Sequence, residues 1–170
     1  MSDNFKPRGR HLIAGEWVEG SQTFQSDPVT GEAQTFALGT AADIDRAAKA
    51  ADDAFWVFAS SSRENRAAFL EAIADAIEAH GAAITAIGTR ESGLPAGRLE
   101  GERGRTTGQL RLFASHIRDG AYLDKRHDLA MPDRKPAPRP EIKLVQRPIG
   151  PVGVFGASNF PLAFSTAGGD

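Results

Sequence analysis

The chain has 170 residues, of which 41% are apolar and 25% charged, and it carries a formal net charge of −2. This length suits one domain with a sizeable core, and the balanced charge provides no basic surplus to bind a nucleic-acid backbone or an anionic membrane. No apolar run reaches the roughly 20 residues of a membrane helix, and the absence of cysteine excludes disulfides, thiolate metal sites and thiol catalysis by any residue present.

The first residues predict a location and a set of short strands. Residues 1–6 lack the basic region and apolar core of a secretory signal, so we expect a cytoplasmic protein. Residues 11–18 alternate loosely in polarity, and residues 23–24 and 34–38 flank the turn-forming run Asp27-Pro-Val-Thr-Gly31. We predict short strands joined by tight turns. Trp17 and Phe24 are compatible with a binding face, although aromatic residues in short strands more often serve packing.

Four helices are predicted to follow in succession. Thr40 and Asp43 form a capping-box pattern before a helical stripe of apolar residues over 41–59, and Ser62 begins a second such stripe that ends at His80-Gly81. We expect each of these helices to bury one face. The third helix covers residues 82–91, and the fourth begins near Pro95 with a one-sided set of residues: Leu99, Thr106, Leu110, Phe113 and Ile117.

A charged stretch occupies the start of the fourth helix, with members Arg98, Glu100, Glu102, Arg103 and Arg105. Because the signs are mixed, the stretch is more typical of a solvated helix face than of a phosphate-binding site.

The last third of the chain changes character. Residues 121–140 are rich in proline and predict an extended connector, and residues 141–147 alternate as a half-exposed strand does. Residues 152–156 form a short continuous apolar run, typical of a strand buried on both faces of a parallel sheet. Pro161 suits the first turn of a helix, so residues 157–160 are predicted to be a strand-to-helix loop.

Asn159 is the most suggestive polar residue. It follows the predicted parallel strand at its carboxyl end, where ligands bind in open α/β sheets, and its side-chain amide is able to donate to a developing oxyanion. On the residues alone, a lone Asn in a loop is more typical of a turn-forming role. The four histidines have no metal-ligand spacing, and Gly150, Gly153 and Gly156 do not form the dinucleotide-binding fingerprint.

Four stretches resemble the aldehyde dehydrogenase superfamily, in the right order and over almost the whole chain. They are Ile13-Ala-Gly-Glu-Trp17, Asp27-Pro-Val-Thr-Gly-Glu32, Glu91-Ser-Gly-Leu-Pro95 and Gly150-Pro-Val-Gly-Val-Phe-Gly-Ala-Ser-Asn-Phe-Pro161. Residues 101–110 and 155–170 are similar to the α-ketoglutarate semialdehyde (2,5-dioxovalerate) dehydrogenases, and the NADP-linked fatty aldehyde dehydrogenases look nearly as similar.

The resemblance implies a reaction on a small-molecule aldehyde. A cysteine thiolate attacks the aldehyde, hydride passes to nicotinamide, and water activated by a glutamate releases the acid. Asn159 matches the oxyanion-stabilising amide, and Phe155, Ala157 and Ser158 match the wall of the NADP or NAD pocket. NADP is favoured, although many relatives have Trp in place of Ser158.

Substrate contacts are also implied by the resemblance. Phe160, Ala163 and Phe164 would face the substrate tunnel, with core packing as the alternative explanation. Arg105 is a candidate to bind the distal carboxylate of a semialdehyde, with an ordinary surface charge as its alternative.

The predicted fold class is α/β, the incomplete amino-terminal part of an aldehyde dehydrogenase-like fold. Residues 1–120 would start the cofactor-binding domain, residues 121–147 an oligomerisation arm of a homo-oligomer, and residues 148–170 the first strand, loop and helix start of the nucleotide-binding sheet. The catalytic cysteine is absent and the catalytic glutamate would lie beyond residue 170. We therefore expect a fragment of a dehydrogenase. The alternatives are a non-enzymatic truncated product that pairs with full-length subunits and a helical binding module over residues 1–120.

Overall fold

Two β-hairpins begin the chain in the computed structural model, which describes residues 7–166 and the side chains of residues 7–164. Strands β1 (His11–Ile13) and β2 (Glu16–Val18) pair antiparallel, and so do β3 (Gln22–Gln25) and β4 (Thr35–Leu38). Phe24 stacks on Phe36 across the second pair, with ring centroids 5.7 Å apart. The predicted short strands are confirmed. The turn at Ala14-Gly15 is tight, as predicted, whereas residues 26–34 form a longer connection between β3 and β4.

Helix α1 (Ala41–Ser60) begins with the predicted capping box. The Thr40 hydroxyl accepts from the Asp43 amide, while the Asp43 carboxylate accepts from the Thr40 backbone N–H and hydroxyl. These bonds hold the pKa of Asp43 below its ordinary value. The expected buried face is wrong, because no residue of α1 is buried and Ile44 is 67% exposed. The small β1–β2 hairpin and the Phe69 ring lie against this helix, and they leave most of its surface uncovered.

Helices α2 (Arg63–Ala79), α3 (Gly81–Ser92) and α4 (Ala96–Asp119) form the core. Small residues let α2 and α4 approach closely, and Leu99 lies fully buried under α3, where a Cβ on Gly88 would come within 2.9 Å of it. The buried apolar residues of this helical unit are Ala67, Ala74, Leu99, Leu110 and Ala114. All four predicted helices are confirmed.

Hydrogen-bonded side chains join the same three helices. The Thr107 hydroxyl donates to Glu78 at 2.7 Å, and Arg103 donates to Glu78, to the Gly81 carbonyl and to the Thr85 hydroxyl. The Thr107 bond and the positive charge of Arg103 lower the pKa of Glu78. A carboxylate on α2 is therefore held in its charged form by donors on α4.

The connector contains more structure than expected. It includes a 3-10 turn (Ala121–Leu123) and strand β5 (Arg126–Asp128), which pairs antiparallel with β6 (Ile142–Leu144). The sequence prediction missed β5 because its three residues, Arg-His-Asp, carry no apolar alternation. The predicted strand over 141–147 is confirmed in its central part.

The predicted buried strand over 152–156 is wrong for this chain. Residues 151–157 are extended without pairing, and Ile149, Val152 and Phe155 are 95%, 69% and 94% exposed. A strand of a parallel sheet needs neighbours for its backbone N–H and C=O groups, and the described residues provide none.

The chain then turns into helix α5 (Ala163–Thr166), close to the helix start predicted at Pro161. Two parts of the predictions lie outside the described residues. Residues 167–170 would complete the third predicted region, and residues 1–6 carry the expected absence of a secretory signal. No helix of residues 7–166 is long and apolar enough to cross a membrane.

Candidate functional site

The loop that carries Asn159 is closed by its own backbone. The Phe160 N–H donates to the Ala157 carbonyl at 3.2 Å, and Asn159 lies exposed inside this turn. Its side-chain amide makes no hydrogen bond to any residue of the described part of the chain, so the turn does not depend on it. The turn is therefore closed by backbone groups alone, and the oxyanion role of Asn159 stays a prediction.

Helix α4 anchors this loop through three side chains. The Arg98 guanidinium donates to the Asn159 carbonyl, and Glu102 Oε2 accepts from the Leu162 N–H at 3.2 Å. The Thr106 hydroxyl donates to the Leu162 carbonyl at 3.0 Å. All three contacts are made to main-chain atoms of the loop and the turn after it. The predicted site is therefore held against α4, although the segment before it forms no strand.

Two closely spaced, tilted aromatic rings and two guanidinium groups lie near Asn159. The ring centroids of Phe160 and Phe164 are 4.7 Å apart. The Arg98 guanidinium lies over the Phe160 ring and the Arg105 guanidinium over the Phe164 ring, each 5.0 Å from the centroid. Such cation–π contacts are electrostatically favourable. Ala163, the residue before Phe164, is 1% exposed. The structure thus brings together Asn159 and all the predicted substrate residues.

The predicted cofactor residues precede Asn159 in the chain. Phe155 is 94% exposed on the extended segment, Ala157 is half-buried and Ser158 is exposed. An exposed aromatic ring followed by two small side chains is compatible with one wall of a nucleotide pocket, and this role stays a prediction.

Sequence reasoning missed the role of the charged stretch on α4. Glu102 is only 6% exposed and Arg103 is bonded within the helical core, so the prediction of a solvated face is wrong for these two residues. The helical spacing of residue 102 indicates that it is buried. Position 102 lies three residues after Leu99 and four before Thr106, on the face of the helix that was predicted to be buried.

The comparisons with known proteins point to one family. A model described as the aldehyde dehydrogenase family matches residues 17–168. Alpha-ketoglutaric semialdehyde dehydrogenase 2 of Azospirillum brasilense is 52% identical over 95% of this chain, and alpha-ketoglutaric semialdehyde dehydrogenase of Acinetobacter baylyi is 45% identical over 100% of it. In both cases the match covers 32% of the relative, so the chain spans about a third of the length of these curated relatives.

Solved structures agree with this match. HpcC from Thermus thermophilus has a TM-score of 0.77 and 26% identity, over 95% of this chain and 32% of that chain. A betaine aldehyde dehydrogenase mutant from Staphylococcus aureus, crystallised with NAD+, has a TM-score of 0.64 and 28% identity, over 74% of this chain and 26% of that chain. The chain therefore has part of the fold of these two proteins.

Proposed function

The chain belongs to the aldehyde dehydrogenase family, and on that premise we propose that it is the amino-terminal part of a dehydrogenase that oxidises α-ketoglutarate semialdehyde to its carboxylic acid. The names of the two curated relatives described above support the substrate. The observation that carries the proposal is the exposed amide of Asn159 beside the Phe160–Phe164 pair. The nucleophile comes from outside these 170 residues, since the chain has no cysteine.

Asn159 stabilises the oxyanion in the proposed reaction. When a nucleophile adds to an aldehyde carbon, negative charge develops on the former carbonyl oxygen, and a fixed N–H donor at that oxygen lowers the barrier. The Asn159 amide meets the requirement because its loop is anchored by main-chain contacts and its side chain is not used by the turn. Losing one such donor costs about 3 to 4 kcal/mol of transition-state stabilisation.

The aromatic pair and Arg105 give the proposed site its preference for a semialdehyde. Phe160, Ala163 and Phe164 provide an apolar wall for the carbon chain, and a guanidinium is suited to bidentate binding of the distal carboxylate. The position of Arg105 over the Phe164 ring supports this role. We expect Arg105→Ala to raise KM for the semialdehyde and to spare long-chain aldehydes, whereas Arg111→Ala on the same helix should change neither.

NADP is the proposed cofactor, with NAD as the alternative, and Phe155, Ala157 and Ser158 would hold it. When bound, its nicotinamide ring supplies the hydride acceptor. The exposure of Phe155 and Ser158 supports such a contact. Assays with each nucleotide decide between the two.

We also propose a cytoplasmic homo-oligomer. Among the described strands β6 pairs only with β5, so its second edge is open to a strand from another part of the assembly. Cell fractionation and sedimentation of the complete protein test these two points.

The first test is the intact mass of the protein in its source cells, followed by an assay with α-ketoglutarate semialdehyde and NADP or NAD. A mass far above 18.1 kDa is expected for a complete dehydrogenase. A mass of 18.1 kDa would instead support the non-enzymatic alternative, in which the chain pairs with full-length subunits.

In the complete enzyme, Asn159→Ala should lower kcat by about 10²- to 10³-fold. Asn65→Ala, at an exposed position near the start of α2, is the matched control and should leave kcat unchanged. Equal rates in the Asn159→Ala and Asn65→Ala enzymes would contradict the proposed role.

A further inference from the structure

Glu102 is a buried carboxylate whose two oxygens have different partners. It is 6% exposed, and burial of a carboxylate is costly unless the charge is paired and hydrogen-bonded. Oε1 accepts from Arg98 Nε at 3.1 Å on the same helix, whereas Oε2 accepts from the Leu162 N–H at 3.2 Å. One oxygen thus holds a side chain and the other holds the main chain after the Asn159 loop.

Arg98 connects this carboxylate to the loop itself. Its Nε donates to Glu102, while its Nη2 donates to the carbonyl of Asn159. The same guanidinium lies 5.0 Å from the centroid of the Phe160 ring. Because a guanidinium is planar and rigid, fixing Nε at Glu102 also fixes the direction of Nη2.

The contacts made by Arg98 and Glu102 constrain the backbone on both sides of Pro161. The carbonyl of Asn159 and the N–H of Leu162 are held from residues 98 and 102, which lie one turn apart on one face of α4. Fixing the Asn159 carbonyl restricts the rotation of that residue, and this restriction sets the direction in which its side chain leaves the backbone. The side-chain amide itself is untouched by these contacts.

We propose that Glu102, acting through Arg98, is a positioning residue for the Asn159 amide, an inference that rests on the proposed function. Glu102 touches no reacting atom in this arrangement. Its effect is to keep the amide aimed at one point, so its loss weakens the stabilisation of the oxyanion while the walls that bind the aldehyde and the nucleotide stay in place.

The competing explanation is a structural ion pair that only stabilises α4. Arg98 and Glu102 are spaced i, i+4, and such pairs are common on helices. A structural pair predicts a loss of stability with no selective effect on kcat. A positioning pair predicts a fall in kcat at constant KM, together with local loosening of the segment after Asn159.

Glu102→Gln in the complete dehydrogenase is the decisive variant, because the amide keeps the size of the side chain and loses one of the two acceptors and the charge. Glu100→Gln, exposed on the same helix two residues earlier, is the matched control. We expect Glu102→Gln to lower kcat by about 10- to 100-fold, with KM for the aldehyde and Kd for the nucleotide within about twofold of wild type. Hydrogen exchange of the peptide around residues 159–164 should become roughly tenfold faster or more. The control should change neither quantity.

Arg98→Lys keeps the positive charge but cannot bond both partners, and the partial exposure of residue 98 lets the chain fold with lysine there. Like Glu102→Gln, Arg98→Lys should lower kcat. This result tests the positioning role even when the Glu102→Gln enzyme does not fold. The positioning role is overturned by unchanged exchange in both variants, or by a kcat that falls no further than in the Glu100→Gln control. A rise in KM for the aldehyde that accompanies the fall in kcat also overturns the positioning role. A wild-type enzyme that oxidises no aldehyde would refute the proposed function, whereas the exchange experiment would still test the anchor.

Discussion

The helical unit α2–α4 and the extended segment 148–157 make opposite use of the same kind of residue. In the helical unit, Leu99 and Leu110 are buried against neighbouring helices, whereas Ile149, Val152 and Phe155 in the extended segment are mostly exposed. Both regions are rich in apolar side chains. The difference lies in the backbone, because a helix pairs its own N–H and C=O groups and a strand of a sheet depends on other strands.

This contrast explains why part of a larger fold can be formed in one region and unformed in another. The helices α2, α3 and α4 are consecutive in sequence, so each meets its partners within a short length of chain. A strand of a parallel sheet pairs with a second strand that is separated from it in sequence by a crossover connection. The Asn159 loop follows residues 148–157 directly. Hydrogen bonds with Arg98 and Glu102 of α4 hold it in place.

The largest expected effect on stability comes from truncating a buried side chain in the core of the helical unit. Leu99→Ala removes a fully buried side chain and should lower the free energy of unfolding of the chain by about 2 to 5 kcal/mol. Leu112→Ala makes the same change on the same helix at a position that is 65% exposed, and it should cost less than about 0.5 kcal/mol. Urea unfolding compares the two. Equal losses would mean that the helical unit has no core of its own.

The helices were predictable because their signals are local. The capping box at Thr40 and Asp43, the Ser62 cap and the stripe through Leu99, Thr106 and Leu110 each lie within a few turns of chain. The burial of α1 and of residues 152–156 was predicted from the same apolar patterns and failed. Such patterns report which face is apolar, and they do not report whether a neighbour is present to cover it.

A smaller effect is expected at the hydrogen bond between Thr107 and Glu78. Glu78 has a lowered pKa in the folded chain, so its bond adds stability above the ordinary pKa of 4.5, and this stability is lost as the pH falls through the folded value. Thr107→Val should therefore cost about 1 kcal/mol at neutral pH and less in acid well below the ordinary pKa. Thr106→Val, which loses bonds to carbonyl groups only, should have the same cost in both conditions. Urea titrations in the two buffers test this, and a Thr107→Val cost that does not shrink in acid would contradict it.

The candidate site was predictable only in part. Asn159 and its neighbours were identified from the Asn-Phe-Pro motif, and the structure brings Phe160, Ala163, Phe164 and Arg105 together near it. The anchors Arg98 and Glu102 were not identified, because a mixed run of charges is typical of a solvated face. The helical spacing from Leu99 and Thr106 places Glu102 on the buried face, but it does not reveal the contact with Leu162 through which this carboxylate holds the loop.

The smallest expected effect is at Phe155, and it tests the extended segment directly. Because the ring is 94% exposed, Phe155→Ala should change the free energy of unfolding of the 170-residue chain by less than about 0.5 kcal/mol. In the complete dehydrogenase we expect neighbouring strands to pair with residues 152–156, and the same substitution should then destabilise the protein measurably and weaken nucleotide binding. Urea unfolding of both proteins and a nucleotide titration of the complete one give the answer. A large loss in the short chain would show that residues 148–157 already pack there, and the contrast with the helical unit would disappear.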